Sequence, residues 1–327
     1  MRRILLLLVL LAAALGGAAA WWLNQPLVLV ADSVDVSIDP RTSAQGVAQV
    51  VVSAGIDTSP QLLYAWFRLS GDARQIRAGS YEIERGTTPR SLLRKLVRGE
   101  ESLRSLTLVE GWNFRQLREA LANAPQLRQE TAGLTDQAVM EKLGRPKQHP
   151  EGRFFPDTYS YAKGSSDLKL LALAMRTMDR HLQAAWQHRS PDSPLQTPEQ
   201  ALILASIVEK ETGQDVDRPL IAAVFSNRLR VGMMLQTDPT VIYGLGDRFD
   251  GNLHKKDLLT DTPWNTYTRA GLPPTPIAMP GRNALLAAVA PAPTKALYFV
   301  ARGDGSSEFS VNLNDHNRAV NKFQRKQ

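Results

Sequence analysis

Cysteine is absent from the 327 residues. Disulfides, thiolate metal ligands and cysteine nucleophiles are therefore excluded, while the compartment stays open. Histidine is scarce: there are 5, scattered, with no H-E-x-x-H or similar metal-ligand spacing. Metal-dependent hydrolysis finds no support in that pattern. Dense runs of basic charge are missing too. Lys and Arg total 39 against 32 Asp and Glu, for a net charge of +7 and a pI near 9.7. Such an excess suits anionic surroundings such as lipid head groups or acidic polymers. Nucleic acid is the weakest of these, because no nucleic-acid motif accompanies the scattered charges. The remaining composition, 43% hydrophobic and 22% charged, is that of a globular protein. The length allows two or three modest domains and a core large enough for an enzyme.

Charge is also missing from Ile4 to Leu23, directly after Met1-Arg2-Arg3. At 1.5 Å per residue this run makes about 30 Å of helix, the thickness of a hydrocarbon core. Arg2 and Arg3 favour a cytoplasmic N-terminus, with Trp21-Trp22 as interfacial anchors on the far side. A cleaved signal peptide ending at Ala18-Ala19-Ala20 is the rival. The run is long for a signal peptide, so an uncleaved anchor is preferred. Residues from about 25 onward then lie outside the cytoplasm, and a short linker follows. A chain beginning near Ala31 is expected to be soluble and active.

Ser33–Ile38 alternates as a half-buried strand does. Helical patterns cover 42–54 and 60–69, the second with Ser59 as cap and Pro60 at its first position. Gly79–Glu84 is a second strand, and Thr88-Pro89 opens a helix that Gly99 ends. This βααβ order resembles a LysM fold, whose relatives bind N-acetylglucosamine-containing glycans. Tyr64, Trp66 and Tyr81 are the candidate sugar-stacking residues. A spacer or docking module fits equally well.

A second domain begins near Ser102 with a strand to Glu110, followed by helices at 114–122 and 135–143. Pro150–Gly164 is rich in aromatic residues and proline, with Glu151, Phe154, Phe155, Asp157, Tyr159 and Tyr161 close together. It either lines a carbohydrate cleft or packs on the core as a loop. After a long helix over 167–189, Thr197–Gly213 reads as a helix marked at both ends. Thr197 and Gln200 suit a capping box, Pro198 the first helical position, and Gly213 the C-terminus. Ala201, Leu204, Ala205, Ile207 and Val208 form one apolar stripe, and Glu211 falls inside it. Glu209 projects away, toward solvent. A carboxyl held among apolar neighbours tends to stay protonated near neutrality, as a general acid requires. A structural ion pair is the competing role for Glu211. A helix over 217–230 follows, then a short strand or flap within 232–246 with turns at Asp238-Pro239 and Gly244–Gly246. Residues 264–277 form a long irregular run of the kind often used functionally. The chain closes with a helix at 282–289, strands at 297–301 and 307–312, and a basic helix to Gln327.

Several of these segments together carry a resemblance. They are Ala205-Ser-Ile-Val-Glu-Lys-Glu-Thr212, Asn227-Arg-Leu, Leu235-Gln-Thr-Asp-Pro-Thr-Val-Ile-Tyr-Gly244, Asn265-Thr-Tyr267, Gly271-Leu-Pro-Pro274 and Ile277-Ala-Met-Pro-Gly281. Glu151-Gly-Arg-Phe-Phe-Pro-Asp-Thr158 and Val109-Glu-Gly111 fit the same pattern. The chain resembles the endolytic murein transglycosylases of the MltG (YceG-like) family over nearly its whole length. Ile207–Thr212 is also similar to the Glu-Ser/Thr signature of soluble lytic transglycosylases and goose-type lysozymes. The implied architecture is α+β: a transmembrane anchor at 1–25, a linker and LysM-like module at 26–101, and a mixed catalytic domain with a lysozyme-like catalytic helix at 102–327.

The resemblance implies that Glu211 is catalytic and that no cofactor or metal takes part. The reaction would split the β-1,4 bond from N-acetylmuramic acid to N-acetylglucosamine without water, leaving a 1,6-anhydro end. An ordinary glycosidase needs two carboxylates. Here the substrate's own 6-hydroxyl attacks, so one acid/base can suffice, and intramolecular attack gains from proximity. Gln236, Thr237, Asp238, Tyr243, Asn265 and Tyr267 are candidates for orienting the sugar, with Phe155 and Asp157 lining the cleft. For each of these, a loop-folding hydrogen bond is an equally open role, above all for Asp238 before Pro239. Peptidoglycan strands, the cytoplasmic membrane and the penicillin-binding synthases are the expected partners. A hydrolytic muramidase using Asp238 or Asp157, and a non-catalytic glycan-binding scaffold, are the alternatives.

Overall fold

The computed structural model describes residues 2–324; the last residues of the basic C-terminal helix expected to reach Gln327 lie outside them. Helices and strands are mixed along the chain. It divides into two compact units, Met1–Arg104 with Ser160–Gly164, and Ser105–Tyr159 with Ser165–Gln327.

The first unit opens with α1 (Arg2–Leu23), within which Ile4–Leu23 is long and apolar enough to cross a membrane. Trp21 is exposed, but Trp22 packs against the core of this unit, because neighbouring residues on a helix point about 100° apart. The next stretch is not a linker. Leu27 is buried, and β1 (Val28–Leu29) pairs antiparallel with a later strand, Ile56–Asp57. A start at Ala31 would strip both from the fold.

β2 (Ser33–Ile38) turns Val34, Val36 and Ile38 inward. After it come α2 (Ala44–Ser53), β3 (Ile56–Asp57) and α3 (Pro60–Leu69), with Ser43 and Ser59 accepting N–H bonds at the helix starts. β4 (Gly79–Glu84) pairs antiparallel with β2 from Ser33↔Glu84 to Ile38↔Gly79. α4 (Pro89–Arg98) has a capping box at Thr88 and ends on Gly99, whose φ of 68° suits glycine. Leu63, Phe67, Ile83, Leu92 and Leu96 are fully buried between the helices and this ribbon. The proposed aromatic cluster does not form. Tyr81 is buried with its hydroxyl on the Arg77 carbonyl, and the Trp66 indole N–H is spent on the Pro89 carbonyl.

β5 (Leu103–Thr107) carries the chain onward and pairs with β6 (Thr158–Ala162), between which lie α5 (Phe114–Ala122) and α6 (Asp136–Lys142). β6 was masked in sequence by Pro150, Pro156 and Gly164, although Tyr159 and Tyr161 alternate inward. α7 (Asp167–Gln187) leads to α8 (Pro198–Glu211), the centre of the second unit. Then follow α9 (Arg218–Arg230), α10 (Asp238–Leu245), α11 (Lys255–Leu259), α12 (Arg282–Val289), the antiparallel hairpin of β7 (Tyr298–Ala301) and β8 (Ser307–Ser310), and α13 (Leu313–Phe323).

α8 packs against α7, α9, α10 and α12, and every residue from Ala201 to Val208 is buried. A helix apolar all round is an interior helix. Its ends differ from expectation. Thr197 accepts the Gln200 N–H at 3.2 Å, but the Gln200 side chain turns to the Gln196 N–H at 2.6 Å, so only half of a capping box forms. The helix stops because Thr212 is extended (φ −150°, ψ 139°), not through a left-handed Gly213. The flap expected within 232–246 is instead α10. Asp238-Pro239 starts that helix, since proline lacks only an N–H that the first turn leaves unpaired anyway.

Candidate active site

Glu211 is the last residue of α8, where a helix leaving the core brings a side chain to partial exposure. The Thr237 hydroxyl donates to Glu211 Oε1. Thr237 stands at the N-cap position of α10, yet its side chain makes no cap bond; the hydroxyl is turned to the carboxyl instead. Its own backbone N–H donates to Thr266 Oγ1 at 3.1 Å, and Thr266 Oγ1 also meets Thr240 Oγ1 at 2.9 Å. Just before it, exposed Gln236 adopts φ 48° with its N–H on the Thr266 carbonyl. A left-handed non-glycine residue costs about 1–3 kcal/mol, and such strain gathers at functional sites.

Asp238 and Tyr267 complete this side, the Tyr267 hydroxyl donating to Asp238 Oδ1 at 2.6 Å. Burial pushes the Glu211 carboxyl from 4.5 up to about 7; the Thr237 hydrogen bond and Arg228 oppose the rise, and Asp238 adds to it. Arg228 is 8% exposed and tied to the Leu297 carbonyl at 2.7 Å and the Leu235 carbonyl at 2.6 Å. Burial lowers its own pKa. Sequence reasoning passed over it. The signal was present: Arg228 follows Val224 and Phe225 by four and three residues, so it lies on the buried face of α9, as Glu211 lies in the stripe of α8.

Glu209 is not on a solvent face. Its side chain is 5% exposed, bonded to Arg218 at 3.1 Å, and accepts the Gly281 N–H at 2.9 Å. The expectation failed because it assumed a one-sided helix, and α8 has neighbours on all sides. Glu209 ties the end of α8 to the starts of α9 and α12. Lys210, between the two glutamates, is the exposed residue, with its amine on the Gly111 carbonyl at 3.3 Å.

The other candidates part company. Asn265 is fully buried, and its amide donates to the carbonyls of Asp257, Leu258 and Thr260 while its Oδ1 accepts the Tyr267 N–H. That side chain holds the 257–267 loop together. Phe155 lies in the core, stacked on His181 with ring centroids 3.9 Å apart. Asp157 is exposed and accepts its neighbour's N–H from Thr158. Tyr243, toward the far end of α10, hydrogen-bonds Glu151 rather than Glu211. Glu151 is 3% exposed, accepts the Phe114 N–H at 3.1 Å, and is raised by burial to about 7. Beside it opens a cavity of about 590 Å³. Among the described residues no cluster of three or more His, Asp or Glu side chains is placed to hold a metal.

One desolvated carboxyl with a proton affinity near neutrality, fixed by a hydroxyl donor, can give and take a proton at a reacting oxygen. Comparison with known proteins bears on which reaction that is. The chain is 30% identical over 308 residues to the "Endolytic murein transglycosylase" of Bacillus subtilis, covering 89% of this chain and 85% of that protein. It is 27% identical over 320 residues to the pneumococcal protein of the same name, covering 88% of this chain but only 58% of the relative. Among solved structures, a yceG-like protein of Listeria monocytogenes matches with a TM-score of 0.55 and 26% identity, covering 88% of this chain and 98% of the other. The YceG-like family profile matches residues 36–322, and the chain belongs to that family.

Proposed function

We propose that the protein is an endolytic peptidoglycan lytic transglycosylase with Glu211 as its single acid/base. The observation that carries this is the desolvated Glu211 carboxyl, raised to about 7 and held at Oε1 by Thr237. The names of the Bacillus and Streptococcus relatives support the substrate class. Glu211, protonated on the oxygen Thr237 does not occupy, donates to the glycosidic oxygen as the C1–O bond breaks. The resulting carboxylate then takes the proton of the muramic 6-hydroxyl as that oxygen closes on C1. No water is consumed, and the carboxyl returns to its starting state. A proton affinity near the working pH serves both transfers. Tyr267 and Asp238, joined to each other beside Glu211, orient the sugar. The helix Ile4–Leu23 supports a single-pass anchor, with the catalytic unit on the periplasmic side near the peptidoglycan synthases. The antiparallel pairing of β2 with β4 around α2 and α3 supports a LysM-like module, serving as a spacer.

The test is digestion of uncrosslinked glycan strands and mass analysis of the new ends. An anhydro end lacks one water relative to a reducing end. Reducing ends as the main product would replace this reading with a hydrolytic one.

A further inference from the structure

The cavity beside Glu151 is separate from the Glu211–Thr237 contact but shares α10 with it. Thr237 and Asp238 lie at the start of that helix, whereas Pro239, Ile242 and Tyr243 line the cavity, which therefore begins one residue past Asp238. Six residues from Thr237 to Tyr243 are about 9 Å along a helix axis. The end of α8 is shared as well, through Lys210.

The walls are aromatic. Tyr243 meets Trp264 edge to face, centroids 5.5 Å apart at 67°. Phe249 and Phe114 add two more rings to a lining that elsewhere carries polar side chains, among them Asn113, Gln116 and Asp136. The polar tips of the two larger rings are tied back into the protein. The Tyr243 hydroxyl is on Glu151, and the Trp264 indole N–H donates to Thr275 Oγ1 at 2.9 Å. What remains for a ligand is ring face. Charge offers less purchase. Glu151 already receives N–H bonds from Phe114 and Gly152 besides the Tyr243 hydroxyl. Lys210 is on a carbonyl, Arg115 is paired with Asp247, and Asp136 is paired with Arg118. His149 accepts the Glu151 N–H on Nδ1, so its neutral form carries the proton on Nε2, a neutral donor at the rim. An aromatic pocket of this size, about 300–1,000 Å³ being usual for ligands, suits a flat, neutral ligand with apolar C–H faces and a polar edge. A pyranose ring has that character.

We infer that this cavity is a glycan subsite displaced along the strand from the cleaved bond, taking an uncharged N-acetylated sugar ring against Phe249, Tyr243 and Trp264. The inference rests on the transglycosylase reading. The subsite holds the strand in register for Glu211 and contributes binding, not proton transfer. It recognises sugar and not the charged peptide stem.

Phe249 is the residue to test, since it is partly exposed and outside the buried core cluster. In the full-length protein, Phe249→Ala should raise KM on peptide-free glycan strands by about tenfold with kcat within about threefold. Phe249→Leu, which keeps apolar volume but loses the ring face, should shift KM in the same direction and carries the test should the alanine variant misfold. Strands that keep their peptide stems should show the same rise. Calorimetry of peptide-free strands on the Glu211→Gln protein, with and without Phe249→Ala, reads binding apart from turnover. An unchanged KM and unchanged affinity overturn the subsite, as does a rise seen only when stems are present. A fully active Glu211→Gln protein would instead overturn Glu211 as the acid/base, and reducing rather than anhydro ends would overturn the transglycosylase reading, whatever the Phe249 result.

Discussion

At the scale of single residues, the two glutamates of Glu209-Lys-Glu211 divide the work differently from a solvent-and-core split. Glu211→Gln keeps size and hydrogen-bond acceptance but not the acidic proton. In the proposed mechanism both transfers use it, so anhydro-end release should fall by about 10⁴-fold or more. The fold should survive. Glu211 has a folded pKa near 7, above its ordinary 4.5, so its favourable contribution is full below about 4.5 and is lost as pH rises through 7. Glu151 behaves alike, and its shift amounts to on the order of 3 kcal/mol. Unfolding free energy measured against pH should therefore fall less steeply between pH 5 and 8 in Glu151→Gln than in wild type. A parallel pair of curves would show that the carboxyl is not desolvated. Thr237→Val removes the donor that favours the Glu211 carboxylate. The alkaline limb of kcat/KM, which marks loss of the Glu211 proton, should move to higher pH. Glu209→Gln should cost on the order of 3 kcal/mol in denaturant titration, because buried Arg218 loses its buried partner. A loss no larger than that of a surface substitution would count against the pair.

At the scale of elements, the site is a meeting of ends. α8 supplies a carboxyl at its C-terminus, and α10 supplies a hydroxyl at its N-cap position that is withheld from capping. The loop 149–156 meets the other end of α10 through Glu151 and Tyr243. Gly152 makes that loop possible. Its φ is 76°, and a Cβ there would meet the Pro276 ring at 2.6 Å and the Ala278 carbonyl at 3.2 Å. Gly152→Ala should destabilise by about 1–3 kcal/mol through strain at a left-handed position. Thermal unfolding of the variant against wild type reads this, and an unchanged midpoint would mean the loop can move aside.

For the whole molecule, the N-terminal apolar helix runs directly into folded structure. Trp22 and Leu27 pack on the first unit's core, and β1 pairs with β3. A chain beginning at Gln25 should fold and remain soluble. One beginning at Ala31 should lose about 2–5 kcal/mol, the usual cost of deleting a buried leucine, before counting the lost strand pairing. Equal melting of the two chains would restore the view that residues 24–30 are a tether.

Much of the architecture is local, and local rules are legible. Ser59-Pro60 and Thr88-Pro89 mark helix starts because a side-chain oxygen or a proline acts within a turn of itself. The alternation of Ser33–Ile38 places β2 for the same reason, and the charge-free run places α1. The stripe of α8 brought Glu211 out as the carboxyl among apolar neighbours, since helical spacing alone orients it. Tertiary structure decided everything that depended on a helix's far side. Glu209 is buried because α9 and α12 cover the face it points to, and no spacing within α8 reports those neighbours. Asn265 is structural because the carbonyls it binds belong to a loop that closes only in three dimensions. Tyr243 parts from Glu211, six helical residues beyond Thr237, because α10 is a helix and not a flap. Sequence periodicity orients a side chain on its own element; what that side chain meets depends on contacts between residues far apart in the chain.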